Sequence, residues 1–142
     1  MIDKRTLCEA FCGELEVTDV PAGLAVRTGF QMKSGDAIGF YIVRAAFDRS
    51  QYRVEDSGLI VPELESCGVD LDRGTRADAF KRLLAEHEAE YDVDTFEIRS
   101  QWVSEADLPE VALRFISLLL RIQDLELLTP GQVESAFRED VP

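Results

Sequence analysis

Histidine is almost missing from this sequence, cysteine is scarce and odd in number, and no apolar run is long. Each shortage removes a class of function. Three cysteines cannot all pair within one chain, so a complete disulfide framework is excluded. They stand at Cys8, Cys12 and Cys67, without CxxC pairs or neighbouring histidines, and so make no zinc set. Cys8 and Cys12 are four apart beside Leu7, Phe11 and Leu15, which puts them on the apolar stripe of a helix. They are expected to pack as small buried hydrophobes, as is Cys67. The longest apolar run, Phe115 to Leu120, is broken by Ser117 and bounded by Arg114 and Arg121. It is far short of the roughly 20 residues that cross a bilayer. Met1-Ile2-Asp3-Lys4-Arg5 is not the start of a secretory signal, and a cytoplasmic location is expected.

Catalytic and phosphate-binding signatures are equally sparse. There is no GxxxxGK[ST] and no GxGxxG after a strand; Gly35 and Gly39 flank Asp36-Ala37-Ile38, but no helix follows. Of Ser34, Ser57 and Ser117, none sits in a G-x-S-x-G elbow, although Ser57-Gly58 loosely imitates its strand-to-helix setting. His87 would have to be the base for any serine or for Cys67. Its helical spacing from Phe80 and Leu84 instead marks it as a histidine at the edge of a core.

Basic residues are the other deficit. Fifteen Lys and Arg against 28 Asp and Glu leave a formal charge of −13. That field repels phosphate backbones, so direct nucleic-acid binding is not expected. It suits a basic protein partner, in the pointed case a protein whose nucleic-acid groove an acidic face occupies. The charge is concentrated from Glu86 to Glu97, where Glu86, Glu88, Glu90, Asp92, Asp94 and Glu97 occur without a Lys or Arg. This stretch is the candidate interaction surface.

What remains is the composition of one ordinary globular domain spanning residues 1–142, with 46% hydrophobic and 30% charged residues. A helix is expected from the N-cap Asp3 to Gly13. Leu15 to Val20 and Leu24 to Phe30 alternate as strands, and Ala37 to Ala46 is apolar on both faces, as in a central strand covered on both sides. Tyr52-Arg53-Val54 continues an antiparallel meander. Leu59 to Cys67 is a short helix with Pro62 in its first turn. Thr75 and Asp78 suggest a capping box for a helix carrying Phe80, Leu83, Leu84 and His87. Thr95 to Val103 is expected as one strand with Phe96 and Ile98 inward. Asp107-Leu108-Pro109-Glu110 then opens a helix apolar over most of its circumference. Residues 130–142 form a tail, with Val133 to Phe137 amphipathic, free to dock or to stay mobile. The fold class is α+β: an antiparallel meander of four to five strands against helices, with a central apolar C-terminal helix. That helix, Phe115 to Ile122, also suits a homodimer interface.

Carboxylates are the only plausible catalytic groups. Asp36 heads the central strand, and Glu55 and Asp56 end the next, so the three can meet at one sheet edge and hold magnesium. No lysine follows Glu55 at the two-residue spacing a metal nuclease would use, and a turn at Asp36 and a cap at Asp56-Ser57-Gly58 explain the same residues. No metal or cofactor is therefore assigned. A third reading places a small ligand among Trp102, Tyr41 and Tyr52, residues that serve equally as ordinary core or rim aromatics.

One longer pattern is informative. Gly35-Asp36-Ala37-Ile38 leads into an apolar strand; Tyr52-Arg53-Val54-Glu55-Asp56-Ser57-Gly58 and then Leu64 and Cys67-Gly68-Val69 follow. This succession, over about Leu24 to Val69, resembles the bacterial and phage family called domain of unknown function 1828. Ser57 stands where the family's pattern would place a second Asp or similar residue. The resemblance implies a small stand-alone protein of bacterial or phage origin and supplies no catalytic residues. Two functions follow as expectations: a noncatalytic interaction module, in its narrow form a DNA-mimicking or defence-related regulator, and, as the alternative, a carboxylate-dependent metal hydrolase or nuclease.

Overall fold

A computed structural model describes residues 2–127, and the tail 130–142 lies outside them. Helix α1 (Lys4–Cys12) begins where expected: the Asp3 carboxylate accepts the Thr6 N–H at 2.8 Å, and Gly13 follows the last turn. Four strands then form the meander, β1 (Glu16–Val20), β2 (Gly23–Gln31), β3 (Ala37–Arg44) and β4 (Gln51–Glu55), each antiparallel to the next. Two helices follow, α2 (Ile60–Ser66) and α3 (Thr75–Glu86). A hairpin of β5 (Ala89–Tyr91) and β6 (Ile98–Ser100) adds to the free side of β4, giving the order β1-β2-β3-β4-β6-β5, and β7 (Val103–Ser104) also pairs with β4. The chain then enters α4 (Leu108–Gln123), with Pro109 in its first turn, and a closing 3-10 turn over Asp124–Leu127.

The α+β class and the central place of the last helix hold, and the sheet has seven short strands. The stretch expected as one strand from Thr95 to Val103 is split into β6 and β7. Its interruption has a local cause. The Ser100 hydroxyl accepts the Val54 N–H at 2.9 Å and donates to the Gln101 carbonyl at 3.0 Å, so a side chain replaces the backbone acceptor of the ladder. Phe96 is exposed, not inward: its φ of 65° belongs to a turn, while Ile98 does enter the core.

All the core lies on one face. Val26, Ile38, Phe40, Val54 and Ile98 point from the sheet toward Phe115, Leu118, Leu119 and Ile122 of α4, with α2 and α3 beside it. Phe40 meets Phe115 edge-on at 6.2 Å. Among the described residues no helix covers β3 on the opposite face, where Gly39 and Tyr41 are exposed. Small or amphipathic residues at those positions let the strand read as apolar while facing water. Because its stripe is engaged by the sheet, α4 is not the free dimer surface its sequence suggested.

Further expectations are corrected. No residue of α1 is buried, Phe11 is 72% exposed, and Cys8 and Cys12 are open to solvent. The layer formed by α2, α3 and α4 leaves β1 largely exposed, and the main contact of α1 is with β2. Cys67 is exposed because it caps α2, its N–H bonded to the Glu63 and Leu64 carbonyls and its side chain turned out. Thr75 is the first residue of α3 rather than its cap; Gly74, at φ 94°, takes the cap position without a side-chain bond.

The turn out of β4 depends on Gly58. Its φ is +75°, and an added Cβ would stand 2.8 Å from the Thr95 carbonyl oxygen. Gly58→Ala is expected to lower the urea unfolding free energy by about 2 kcal/mol or more. Ser57→Ala next to it, on an exposed side chain, should change it by less than about 0.5 kcal/mol. Equal effects of the two would contradict this account.

Candidate functional site

Strand alternation decides what the candidate carboxylates can do together. Glu55 lies opposite Tyr41 on one side and Arg99 on the other, on the open face of the sheet. Asp56, the next residue, turns to the opposite face and is 1% exposed. Asp36 belongs to the β2–β3 turn. It stands five residues beyond Tyr41, the partner of Glu55, which at about 3.3 Å per residue is on the order of 16 Å away. Its carboxylate lies 3.3 Å from the Ser34 hydroxyl, which donates to it. The three are thus not brought together. Among the described residues no group of three or more His, Cys, Asp or Glu side chains is disposed to hold a metal ion.

Asp56 has a different task. One carboxylate oxygen, Oδ1, accepts the Ile98 N–H at 2.7 Å and the Gly58 N–H at 3.2 Å, and the Asp56 N–H donates to the Ile98 carbonyl at 3.0 Å. Side chain and backbone together add a rung between β4 and β6 at the point where β4 ends. The other oxygen, Oδ2, is buried without a partner. Burial raises the Asp56 pKa from 3.8 to about 6, against the two N–H bonds that favour the anion and with help from the nearby Glu97 and Glu55 charges.

Around this rung lies a network centred on Arg99. Its guanidinium reaches Asp92 at 2.7 Å, Glu97 at 3.3 Å and Glu55 at 3.9 Å. Burial opposes the cation, but Glu97, Asp92 and Glu55 outweigh it and raise the Arg99 pKa. Glu55 is pushed up by burial and by donating its proton toward Glu97, with the Arg53 bond at 2.6 Å pulling the other way. Glu97 is held down despite burial by hydrogen bonds from Glu55, Thr95 and Arg99. Arg53 in turn lies 4.2 Å over the Trp102 ring, which meets Phe47 edge-on at 5.5 Å. These groups pair across β4, β6 and the hairpin, with the buried Arg99 Nε left without a hydrogen-bond partner.

The acidic stretch is divided by the fold. Glu86 ends α3 and pairs with Arg82 and Arg121. Asp92 and Glu97 are taken by Arg99. Glu88, Glu90 and Asp94 are exposed, and no ion pair to them is present among the described residues. Asp92 builds the hairpin turn, its Oδ1 accepting the Asp94 and Thr95 N–H groups at 2.8 and 3.2 Å. That turn exposes Val93 at 71% and, with the positive φ at Phe96, throws the Phe96 ring outward. Leu59, also exposed, follows Gly58, which packs against the Thr95–Glu97 backbone. Tyr91, whose hydroxyl pKa is raised by burial first, also feels Glu65 and Asp72, so carboxylates of α2 and the α2–α3 loop reach the same flank. The exposed apolar trio was missed because Phe96 sits in a pattern that alternates like a strand. Asp92-Val93-Asp94-Thr95, a turn-forming sequence just before it, was the available signal.

Other candidates are dispersed. His87 donates from Nδ1 to the Leu83 carbonyl at 2.8 Å, closing α3, and lines a small cleft with Ser100 and Arg114. Ser57 and Tyr41 border a shallow groove of about 380 Å³ on the open face, and Cys67 a cleft of about 200 Å³ beside Met32 and Gln123. Neither contains His87. Tyr52 accepts from Arg44 at 2.7 Å, so Tyr41, Tyr52 and Trp102 line no common pocket. No helix of the described residues is long and apolar enough to cross a membrane.

Two variants test the rung and the network. The folded pKa of Asp56 lies above the unfolded value, so the native state holds the proton more tightly. This contribution is complete below about pH 4 and is lost as pH rises through 6. Asp56→Asn keeps an Oδ1 acceptor and cannot titrate. From pH 7 to pH 5 the wild type should gain about 1 kcal/mol of unfolding free energy relative to it; parallel pH profiles would refute the assignment. Arg99→Ala leaves three carboxylates without their shared cation and should cost about 2 kcal/mol in urea titration, with Arg99→Lys intermediate.

The sequence profile of one family, domain of unknown function DUF1828, matches residues 28–122, well over half of the chain. That span begins within β2 and ends in α4, and it contains the rung, the Arg99 network and the acidic hairpin. No curated protein and no solved structure matches the chain.

Proposed function

We propose that this chain, which belongs to the domain of unknown function DUF1828 family, is a noncatalytic interaction module that docks a basic protein on the flank formed by the β5–β6 hairpin and the start of α2. The observation that carries this reading is the exposure of Leu59, Val93 and Phe96 on the flank that carries Glu88, Glu90 and Asp94, carboxylates that make no ion pair among the described residues. Apolar side chains at the centre of a patch supply affinity when water is excluded, and a rim of one charge sets approach rate and partner choice. The Arg99 network holds the hairpin in shape, so little ordering is left to be done on binding. Catalysis finds less support. Asp36 is remote from Glu55 and Asp56, which face opposite ways, and the single histidine is engaged as a helix cap.

The narrower form is DNA mimicry. Glu88, Glu90 and Asp94 would then stand in for phosphates in the groove of a nucleic-acid-binding protein of the cytoplasm, as a defence-related or phage-derived regulator would need. Direct nucleic-acid binding by this chain is no part of the proposal.

The test uses the full chain as bait in host lysate. The wild type should retain a discrete basic protein in about 50 mM salt and release it by about 500 mM, as a charge-led contact does. Glu90→Lys/Asp94→Lys and Phe96→Ala should each lose it with unchanged circular dichroism. Retention by either variant, or retention that ignores salt, would overturn the proposal. Elution of the captured protein by duplex DNA would favour the mimicry form, and its resistance to DNA would eliminate that form.

A further inference from the structure

The exposed side chains of α1 and β1 make a second apolar face, far from the acidic hairpin in strand order. Leu7 and Phe11 lie one helical turn apart on α1, Leu15 follows in the connection, Val17 is on β1, and Phe30 is added by β2, the strand against which α1 rests. All five are exposed, and the layer of α2, α3 and α4 leaves β1 largely exposed. β1 is also a terminal strand with one edge unpaired among the described residues. We infer that a second copy of this chain covers this face, with α1 packed antiparallel against its twofold mate.

Area and charge favour a copy over another occupant. The five side chains expose on the order of 500 Å² of apolar surface per chain, so two copies would bury about 1,000 Å² of it. With the usual polar share of somewhat under half, the total falls within the roughly 1,200–2,000 Å² of a stable interface. Net charge would seem to forbid self-association, but α1 and its cap are balanced: Asp3 and Glu9 against Lys4 and Arg5. The basic pair begins the helix, while Glu14 and Glu16 lie beyond its end. An antiparallel mate therefore brings Lys4 and Arg5 of each chain, Arg5 already paired with Glu9 of its own helix at 3.0 Å, toward Glu14 of the other, while Glu16 faces away from Val17 beside its cross-strand partner Arg27. A twofold contact needs this kind of self-complementarity. Cys8 and Cys12, exposed on the same helix, would lie near their counterparts and report the contact without engineering.

The experiment is light scattering on the full chain at about 10 to 200 μM, with mild oxidation of native cysteines in parallel. The expected mass is twice 15.9 kDa for the wild type and for Phe96→Asp, and 15.9 kDa for Phe11→Asp. No residue of α1 is buried, so Phe11→Asp should keep the wild-type urea midpoint at protein concentrations low enough to dissociate the dimer. Oxidation should give a covalent dimer in the wild type and in Cys67→Ser, and none in Cys8→Ser/Cys12→Ser. A wild type that is monomeric at 200 μM overturns the inference and leaves the face to a different protein. A Phe11→Asp variant that stays dimeric, or a cross-link through Cys67 alone, overturns it as well. The acidic-hairpin proposal survives each of these outcomes, because Phe96 and Phe11 belong to separate faces.

Discussion

The structure turns on a single carboxylate oxygen. Asp56 Oδ1 takes N–H groups from Ile98 and Gly58, and thereby joins the end of β4, the turn into α2 and the start of β6. Asp56 and Ile98 are 42 residues apart in sequence, and the Ser100 hydroxyl makes a second buried link between β6 and β4 through the Val54 N–H. Without the Asp56 bonds, β4 would meet the hairpin through the Glu55–Arg99 pair and the Ser100 hydroxyl, both of which are themselves aligned by the same rung. The arrangement is bought with an unpartnered, buried Oδ2 and a raised pKa. A buried polar group left half satisfied is a penalty that folds rarely tolerate without a return. Here the return is that a hairpin carrying most of the acidic stretch is fixed to the sheet at one point.

The same constraint explains why the charge is arranged as it is. Asp92 and Glu97 reach Arg99 within the hairpin itself, and Glu55 joins them because β6 is held beside β4 in register. With Glu55, Asp92 and Glu97 so engaged, the carboxylates left facing water are those on the hairpin's outer side. The acidic run of the sequence is therefore two populations in space: one that ties the hairpin down and one that is exposed to solvent. A tally of charge along the chain cannot separate them: Asp92 and Glu97 reach Arg99, whereas Glu90, the cross-strand neighbour of Arg99, and Asp94 in the turn make no ion pair among the described residues.

This is also the boundary of what the sequence made legible. Asp3 and Gly13 marked the ends of α1, and Pro109 the start of α4, because caps and first-turn prolines act locally. Asp56-Ser57-Gly58 was recognisable as a turn for the same reason; its bond to Ile98 was not, because nothing in residues 56–58 names a partner so distant. Periodicity located the apolar stripe of α1 but was silent on whether another element would cover it, so Cys8, Cys12 and Phe11 were assigned to a core that does not reach them. Phe96 failed differently. A turn with positive φ inside an alternating stretch inverted its direction, and alternation read alone had placed it inward. The candidate trio Asp36, Glu55 and Asp56 depended on register, which shorter local signals do not contain.

The two exposed apolar groups differ in the electrostatics that surround them, and this constrains their use. Around α1, acidic and basic residues balance, Asp3 and Glu9 against Lys4 and Arg5, with Arg5 paired to Glu9, so a like surface meets no net charge there. Around Val93 and Phe96 the carboxylates Asp92, Asp94 and Glu97 outnumber the one neighbouring cation, Arg99, so the flank is net acidic and two such surfaces repel. At a chain charge of −13 this difference is decisive over distances of about a Debye length, near 8 Å in physiological salt. Apolar exposure is common to both faces, and what differs between them is the pattern of charge around it. The sheet that carries them keeps them at opposite ends of its strand order, so occupation of one leaves the other open.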